Sequence, residues 1–267
     1  MLEDLIILST DCSDGMTAER SRHCAMEVVE RALNFDGVKP SLVSRIAVEV
    51  GAEIIEGDYT PGADLNSVDL SQRYSTSRTP VREALMLLEK EGLVVIPPRR
   101  RPRVVGFEVK DVREIYRTRC ALLEFIAADV ARKATTEDIA ALEKICDRMA
   151  FFFQREDYHA YLWSNVSFHD FNTDLSGNRT VKRIIDSLLL RTLPLRRLSL
   201  STGDAVKHSL EDHLLLVRAF KDRDPNLAAA ILRSNHMRSL VRLEQRLGGG
   251  KAALGPDVQM DPEAGDL

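Results

Sequence analysis

Apolar residues recur at helical spacing along most of this sequence, and only two short β-branched runs break the pattern. Leu42, Ile46, Val50 and Ile54 fall every four residues and mark one apolar helix face. Gly57 stops that helix and Pro61-Gly62 turns the chain. A short helix at Val68–Arg73 follows, then a longer one over Ser77–Glu91 with Val81, Ala84, Leu85 and Leu88 inward and Gly92 at its C-cap. The run Leu93 to Ile96 leads into Pro97-Pro98, then into four arginines around Pro102, then into Val104-Val105. Two short strands around a basic loop predict a hairpin packed on three helices, a winged helix-turn-helix.

From Asp111 onward the pattern is helical almost throughout. Asp111 is expected to cap a helix that buries Ile115, Leu122, Ile126 and Val130. Thr135 and Asp138 have the spacing of a capping box, with Ile139, Leu142, Ile145 and Met149 inside the next helix. Tyr158–Leu175 forms another, closed by Gly177, and Thr180–Leu200 a long one kinked at Pro194. Asp204–Lys221 follows. Asp224-Pro225 supplies an N-cap and a first-turn proline for the last helix, which runs to Leu247 and ends at Gly248-Gly249-Gly250. Before all this, Met16 to Leu33 reads as one helix ended by Gly37 and Pro40. The expected fold class is mainly α: a winged helix-turn-helix followed by an all-α antiparallel helical bundle. The divisions are an extension over 1–40, a winged helix-turn-helix domain over 41–107, an all-helical domain over 108–248, and a disordered tail over 249–267.

Charge sharpens this. The formal net charge is -4, so the molecule as a whole is no polycation. Yet Arg73, Arg78, Arg82, Lys90, Arg99, Arg100, Arg101 and Arg103 face only Glu83, Glu89 and Glu91 in the same window. Counterion release at phosphates rewards such a local excess. Cys12, Cys24, Cys120 and Cys146 contain no C-x-x-C pair and read as reduced thiols of a cytoplasmic protein. Apolar runs are too short to span a bilayer, and the acidic start lacks the basic region of a secretory signal.

The string Ser77-Arg78-Thr79-Pro80-Val81-Arg82-Glu83-Ala84-Leu85 opens a helix with hydroxyls, where free backbone N–H groups can hold a phosphate. Arg78 and Arg82 share one helix face, and a guanidinium fork suits guanine O6 and N7 or a phosphate. On its own, Arg-x-x-x-Arg is common on ordinary solvated helices. The larger segment Leu42–Gly106 resembles the winged helix-turn-helix of GntR-type regulators, through Pro61-Gly62, Leu65-Asn66, Ser77–Leu85 and Glu91–Val94. The resemblance implies operator contacts from Ser77, Arg78, Thr79 and Arg82, with Arg45 on the first helix and Arg100 and Arg101 on the wing as further candidates. It also implies a homodimer reading a palindrome. Two positions depart from the family: Ser75 stands where the turn usually has glycine, and Arg101 replaces the wing-tip glycine.

Asn165 and His169 are one turn apart, and His213 and His236 fall on later helices. Imidazoles from three packed helices can meet inside a bundle and bind a cation, although a single histidine on an amphipathic helix is more often a hydrogen-bonded core residue. The helices after Asp111 resemble the FCD-type effector domain of the FadR branch of the GntR family, whose metal pattern is Asp-x-x-x-His followed by two histidines. By that resemblance Asn165, His169, His213 and His236 form a divalent-metal site, with asparagine replacing the acid, suited to Zn²⁺ with Ni²⁺ as second choice. Arg119 matches a family arginine facing a ligand cavity; its other reading is a surface ion pair. The expected function is a DNA-binding transcription regulator, not an enzyme, that responds to a small carboxylate. A metal-dependent hydrolase or lyase built on the histidines is the rival reading, but no general base accompanies them.

Overall fold

The structure, a computed structural model, describes residues 17–35 and 39–248. Within these, twelve elements follow one another: α1 (Ala18–Ala32), α2 (Leu42–Glu56), α3 (Ser67–Arg73), α4 (Arg78–Lys90), β1 (Val94–Val95), β2 (Arg103–Val104), α5 (Val109–Lys133), α6 (Thr136–Gln154), α7 (Tyr158–Leu175), α8 (Arg179–Ser199), α9 (Gly203–Lys221) and α10 (Pro225–Gly248). Gly37, Cys12 and residues 249–267, including the expected tail, lie outside the described residues.

Helix α2 opens on a capping box between Ser41 and Ser44 and closes on Gly57, which takes the left-handed conformation at φ 87°. Asn66 caps α3. The turn from α3 to α4 needs one left-handed residue, and Ser75 supplies it at φ 48°. A side chain there costs about 1 kcal/mol relative to glycine but leaves the geometry intact. The strands pair antiparallel with Val94 opposite Val104 and Val95 opposite Arg103. The chain at Asp64 adds a bridge to Arg103, with Gly62 donating to the Val104 carbonyl and Leu65 to that of Pro102. The wing is therefore anchored on both sides although its named strands are two residues long.

Two expectations for α5 need correction. Its N-cap is Glu108, and Asp111 lies in the first turn, where its charge meets the positive end of the helix. The buried face is Val112, Tyr116, Arg119, Cys120, Leu123, Ile126 and Val130, whereas Ile115 and Leu122 are only half-buried. The C-cap of α4 is Glu91, with Gly92 one residue beyond it at φ 74°. Other caps fall as read: Thr135 with Asp138 at α6, Gly177 after α7, and Asp224 accepting from Asn226 and Leu227 at the start of α10. Helix α8 continues through Pro194.

The helix α1 is no loose appendage. It lies on α2, α7 and α8, and its Cys24, Ala25, Val28 and Val29 belong to the same apolar core as Ile46, Leu88, Trp163 and Leu189. Gly51 on α2 makes that approach possible: a Cβ there would stand 2.9 Å from Val29 and 3.2 Å from Leu88. Cys24, Cys120 and Cys146 are buried outside any disulfide, and burial pushes each thiol up to about 12, which leaves them unreactive.

Candidate DNA-binding face and effector cavity

Ser77, Arg78, Thr79 and Arg82 are all exposed at the N-terminal end of α4. Ser77 is the N-cap residue but makes no side-chain capping hydrogen bond, so its hydroxyl is not committed to the helix end. Among the described residues neither Arg78 nor Arg82 has an ion pair within 4.0 Å. Arg99, Arg100 and Arg101 are exposed at the wing tip, where Arg99 takes φ 59°. Arg101 makes only a loose contact with Asp64 at 3.9 Å, and Arg45 on α2 an equally loose one with Glu49 at 4.0 Å. Arg73 differs: its two terminal nitrogens grip the buried carboxylate of Glu53 and tie α3 to α2. It belongs to the scaffold rather than to the basic surface.

The second site lies within the helical bundle. Tyr116 of α5, Asn165 and His169 of α7, Arg196 and Ser199 of α8, Ser209 of α9, and Asn235, His236 and Ser239 of α10 line a small cavity. Asn165, His169, His213 and His236 are at most 4% exposed. The His213 Nδ1 lies 2.6 Å from the Ser209 carbonyl and the His236 Nδ1 3.1 Å from that of Leu232. A carbonyl only accepts, so each Nδ1 carries the proton and each Nε2 keeps its lone pair. The His213 Nε2 lies 3.3 Å from the His169 Nε2 and 3.2 Å from the Asn165 amide nitrogen. The His169 ring meets those of His213 and His236 edge to face, with centroids 5.0 and 5.2 Å apart.

This donor set suits a divalent cation in chemistry and tautomer. Nitrogens about 2.0–2.1 Å from Zn²⁺ stand about 3.3–3.4 Å apart along a tetrahedral edge, the spacing of the His169–His213 pair. The His169 Nδ1 is buried without a hydrogen-bond partner. The rings nevertheless pack against one another rather than around a common centre. Among the described residues no group of three or more His, Cys, Asp or Glu side chains is arranged to hold a metal ion. Asn165 adds no charge to help.

Burial, and next the positive charge of Arg196, push the His169 pKa well below its usual value. Burial lowers His213 to about 4 and, with Arg119 and Arg196, lowers His236 strongly. All three are neutral at pH 7. The unfolded chain binds protons at these rings below about pH 6.5, whereas the folded chain does not until lower pH. Folding stability is thus complete above pH 6.5 and drains as pH falls below it. For His213 the loss runs down to about pH 4, at about 1.4 kcal/mol per pH unit. Urea titrations of chelator-treated protein at pH 7.5, 6.0 and 5.0 should show this decline, and His213→Gln should shallow it. A variant slope equal to the wild-type slope would remove His213 from the account.

Among the described residues Arg119 makes no ion pair. It is 1% exposed, donates to the Thr192 hydroxyl at 2.5 Å, and lies behind the cavity wall. The wall arginine is Arg196, 6% exposed, which the sequence reading missed. Its signal was present: Leu189, Leu193, Arg196 and Leu200 follow helical spacing, so a cation sits on an apolar stripe.

These two sites define a winged-helix DNA-binding regulator whose second, all-helical part encloses a small cavity. The gntR family of bacterial regulatory proteins matches residues 42–104, and the FCD domain matches residues 114–239. The chain belongs to the GntR family of transcriptional regulators, with an FCD domain after its DNA-binding domain. It is 33% identical over 135 residues to the uncharacterized HTH-type transcriptional regulator YdhC of Bacillus subtilis, a stretch covering 50% of this chain and 60% of that one. It is 26% identical over 198 residues to the gluconate operon transcriptional repressor of Bacillus licheniformis, covering 72% and 80%. In fold it is similar to E. coli McbR/YncC, with a TM-score of 0.67 at 22% identity over 78% of this chain and 100% of that one. A GntR regulator from Rhodococcus sp. RHA1 follows at 0.64 and 21%, over 78% and 99%. These families and relatives are transcription regulators, not enzymes. Among the described residues no helix is long and apolar enough to cross a membrane.

Proposed function

We propose that the protein is a cytoplasmic, ligand-responsive regulator that binds a palindromic operator as a homodimer, with a small carboxylate sensed in the helical cavity. The carrying observation is the exposed Arg78–Thr79–Arg82 face at the start of α4, where neither arginine has an ion pair among the described residues. A recognition helix presenting such groups from its N-terminal end suits a major groove, with half-sites about 34 Å apart for the two copies. Asn165, His169, His213 and His236 would hold a divalent ion, Zn²⁺ or Ni²⁺. Bound there, the ion would supply a Lewis-acid contact for an anionic ligand. The Nε2 lone pairs of His213 and His236 and the His169–His213 spacing support this assignment.

Helix α8 is the proposed link between the two sites. Arg196 lines the cavity, while its neighbour Arg197 donates to the Glu56 carbonyl at the end of α2. Earlier on the same helix, Arg191 donates to the Glu91 carbonyl at the end of α4, and Ser187 to the Glu91 carboxylate. Gly92, at φ 74°, leaves room for the Arg191 guanidinium. A ligand that favours one position of α8 therefore biases the helix ends that set the DNA-binding domain.

Selection of binding duplexes from a random pool by the full chain tests the reading, with native mass spectrometry for subunit count and metal. The expected product is an inverted repeat bound by two subunits. Selection of no sequence, or of an asymmetric site by one copy, overturns it. On the selected operator, Arg101→Ala should weaken binding to specific and scrambled duplexes alike and flatten the salt slope by about one unit per protomer. An unchanged slope would remove the wing tip from the phosphate contacts.

A further inference from the structure

The geometry points to a compact dianion as the cavity's ligand, with Arg196 touching it and Arg119 as the second positive charge behind the wall; this rests on the small-acid sensing proposed above and narrows the acid to one with two negative charges. Two guanidiniums sit at 1% and 6% exposure in one bundle interior, and among the described residues neither has a carboxylate within salt-bridge distance. The Nη1 of Arg196 and the Nε of Arg119 have no hydrogen-bond partner. The partner that Arg119 does have, Thr192, is neutral. Asp186 is the acid whose charge bears on Arg119, but it is already shared between Lys182 and Arg31.

Burial pushes both arginines below their usual range, Arg119 to about 10. Guanidinium does not surrender its proton near neutral pH, so its need is for an anion rather than for deprotonation. Nothing else in the cavity provides one. Asn165 is an amide, the three imidazoles are neutral, and Tyr116, Ser199, Asn235 and Ser239 offer only uncharged hydrogen-bonding groups. Charge balance therefore asks for two negative charges, and a divalent cation on the imidazoles would raise that number, not lower it. Two carboxylates separated by a few carbons, or a phosphate, supply those two charges in compact form.

The test uses the full chain, freed of retained anions and kept in chloride buffer. Malonate, succinate and glutarate are titrated calorimetrically beside their monomethyl esters, with inorganic phosphate as a separate arm. At least one dianion should bind tenfold or more tightly than its singly charged counterpart, and Arg196→Met should erase that preference; the arm that binds assigns carboxylate or phosphate. A second measurement does not depend on choosing the right acid. In chloride buffer Arg196→Met should melt above the wild type, because it removes an unbalanced buried charge. Equal binding of diacid and monoester, or a lower melting temperature for the variant, overturns the dianion and leaves small-acid sensing standing. If no acid of either charge binds or changes operator binding, both readings fall.

Discussion

Arg78→Ala and Arg82→Ala should each remove specific operator binding while leaving the fold untouched. Both side chains are exposed and, among the described residues, without ion pairs, so truncation leaves nothing buried and unsatisfied. Melting temperatures should match the wild type, with any stability change within about 0.5 kcal/mol. On DNA the accounting differs. A bidentate arginine–guanine contact is worth about 1–3 kcal/mol, and in a symmetric dimer each substitution removes it twice. Affinity for the selected operator should fall by a factor on the order of 10²–10⁴, while binding to scrambled duplex falls far less. Fluorescence anisotropy on both duplexes separates the two effects. Arg73→Ala is the contrasting case. It strands the buried Glu53 carboxylate, so it should lower the melting temperature first and weaken DNA binding only through that loss. Operator affinity kept by either α4 variant would refute the recognition-helix assignment.

The contrast between Arg73 and Arg78 also indicates what the sequence could and could not disclose. Helix ends were legible because capping is local: Thr135 with Asp138, Gly177, and Asp224 with Pro225 act over three or four residues. The α5 start was misplaced because Glu108 and Asp111 both satisfy such a rule and only the turn from the wing decides between them. Its buried face was shifted for a related reason. One side packs on α10 and another backs the cavity, so the covered arc is wider than a single stripe. The structure brings Asn165, His169, His213 and His236 together, residues that the sequence linked through the shared turn of Asn165 and His169 and through family resemblance. Arg196 was overlooked because charge on a helix reads by default as solvent-facing. Only its phase with Leu189 and Leu193 says otherwise. The role of α1 was illegible altogether, because its partners lie far along the chain: Ser21 donates to Glu56 and accepts from Trp163, and Arg31 donates to Asp170.

That last contact sets up the second large effect. Arg31 of α1 and Lys182 of α8 share Asp170 of α7, with Asp186 also paired to both and Asp174 to Lys182. The Asp170 side chain is 4% exposed, and those of its two cations 23% and 18%. Asp170→Ala leaves two partly buried cations short of an anion, and breaking one side of a buried pair costs about 3–5 kcal/mol. The lower end is expected, because Asp174 and Asp186 remain and lose a repelling neighbour: burial first, and Asp170 among the charges, hold both of their pKa values up. At about 2–4 °C per kcal/mol for a chain of this size, the melting temperature should drop by roughly 6–12 °C. The exposed pair Lys221–Glu143 provides the control, since Glu143→Ala should shift it by a degree or two at most. Because Asp170 holds α1 against the helix that carries His169, amide exchange should quicken in α1 of the variant before it quickens in α6 or α9. A melting temperature no lower than that of the Glu143 variant, or exchange that rises evenly across all helices, would mean that the apolar contacts of Val28 and Val29 hold α1 unaided.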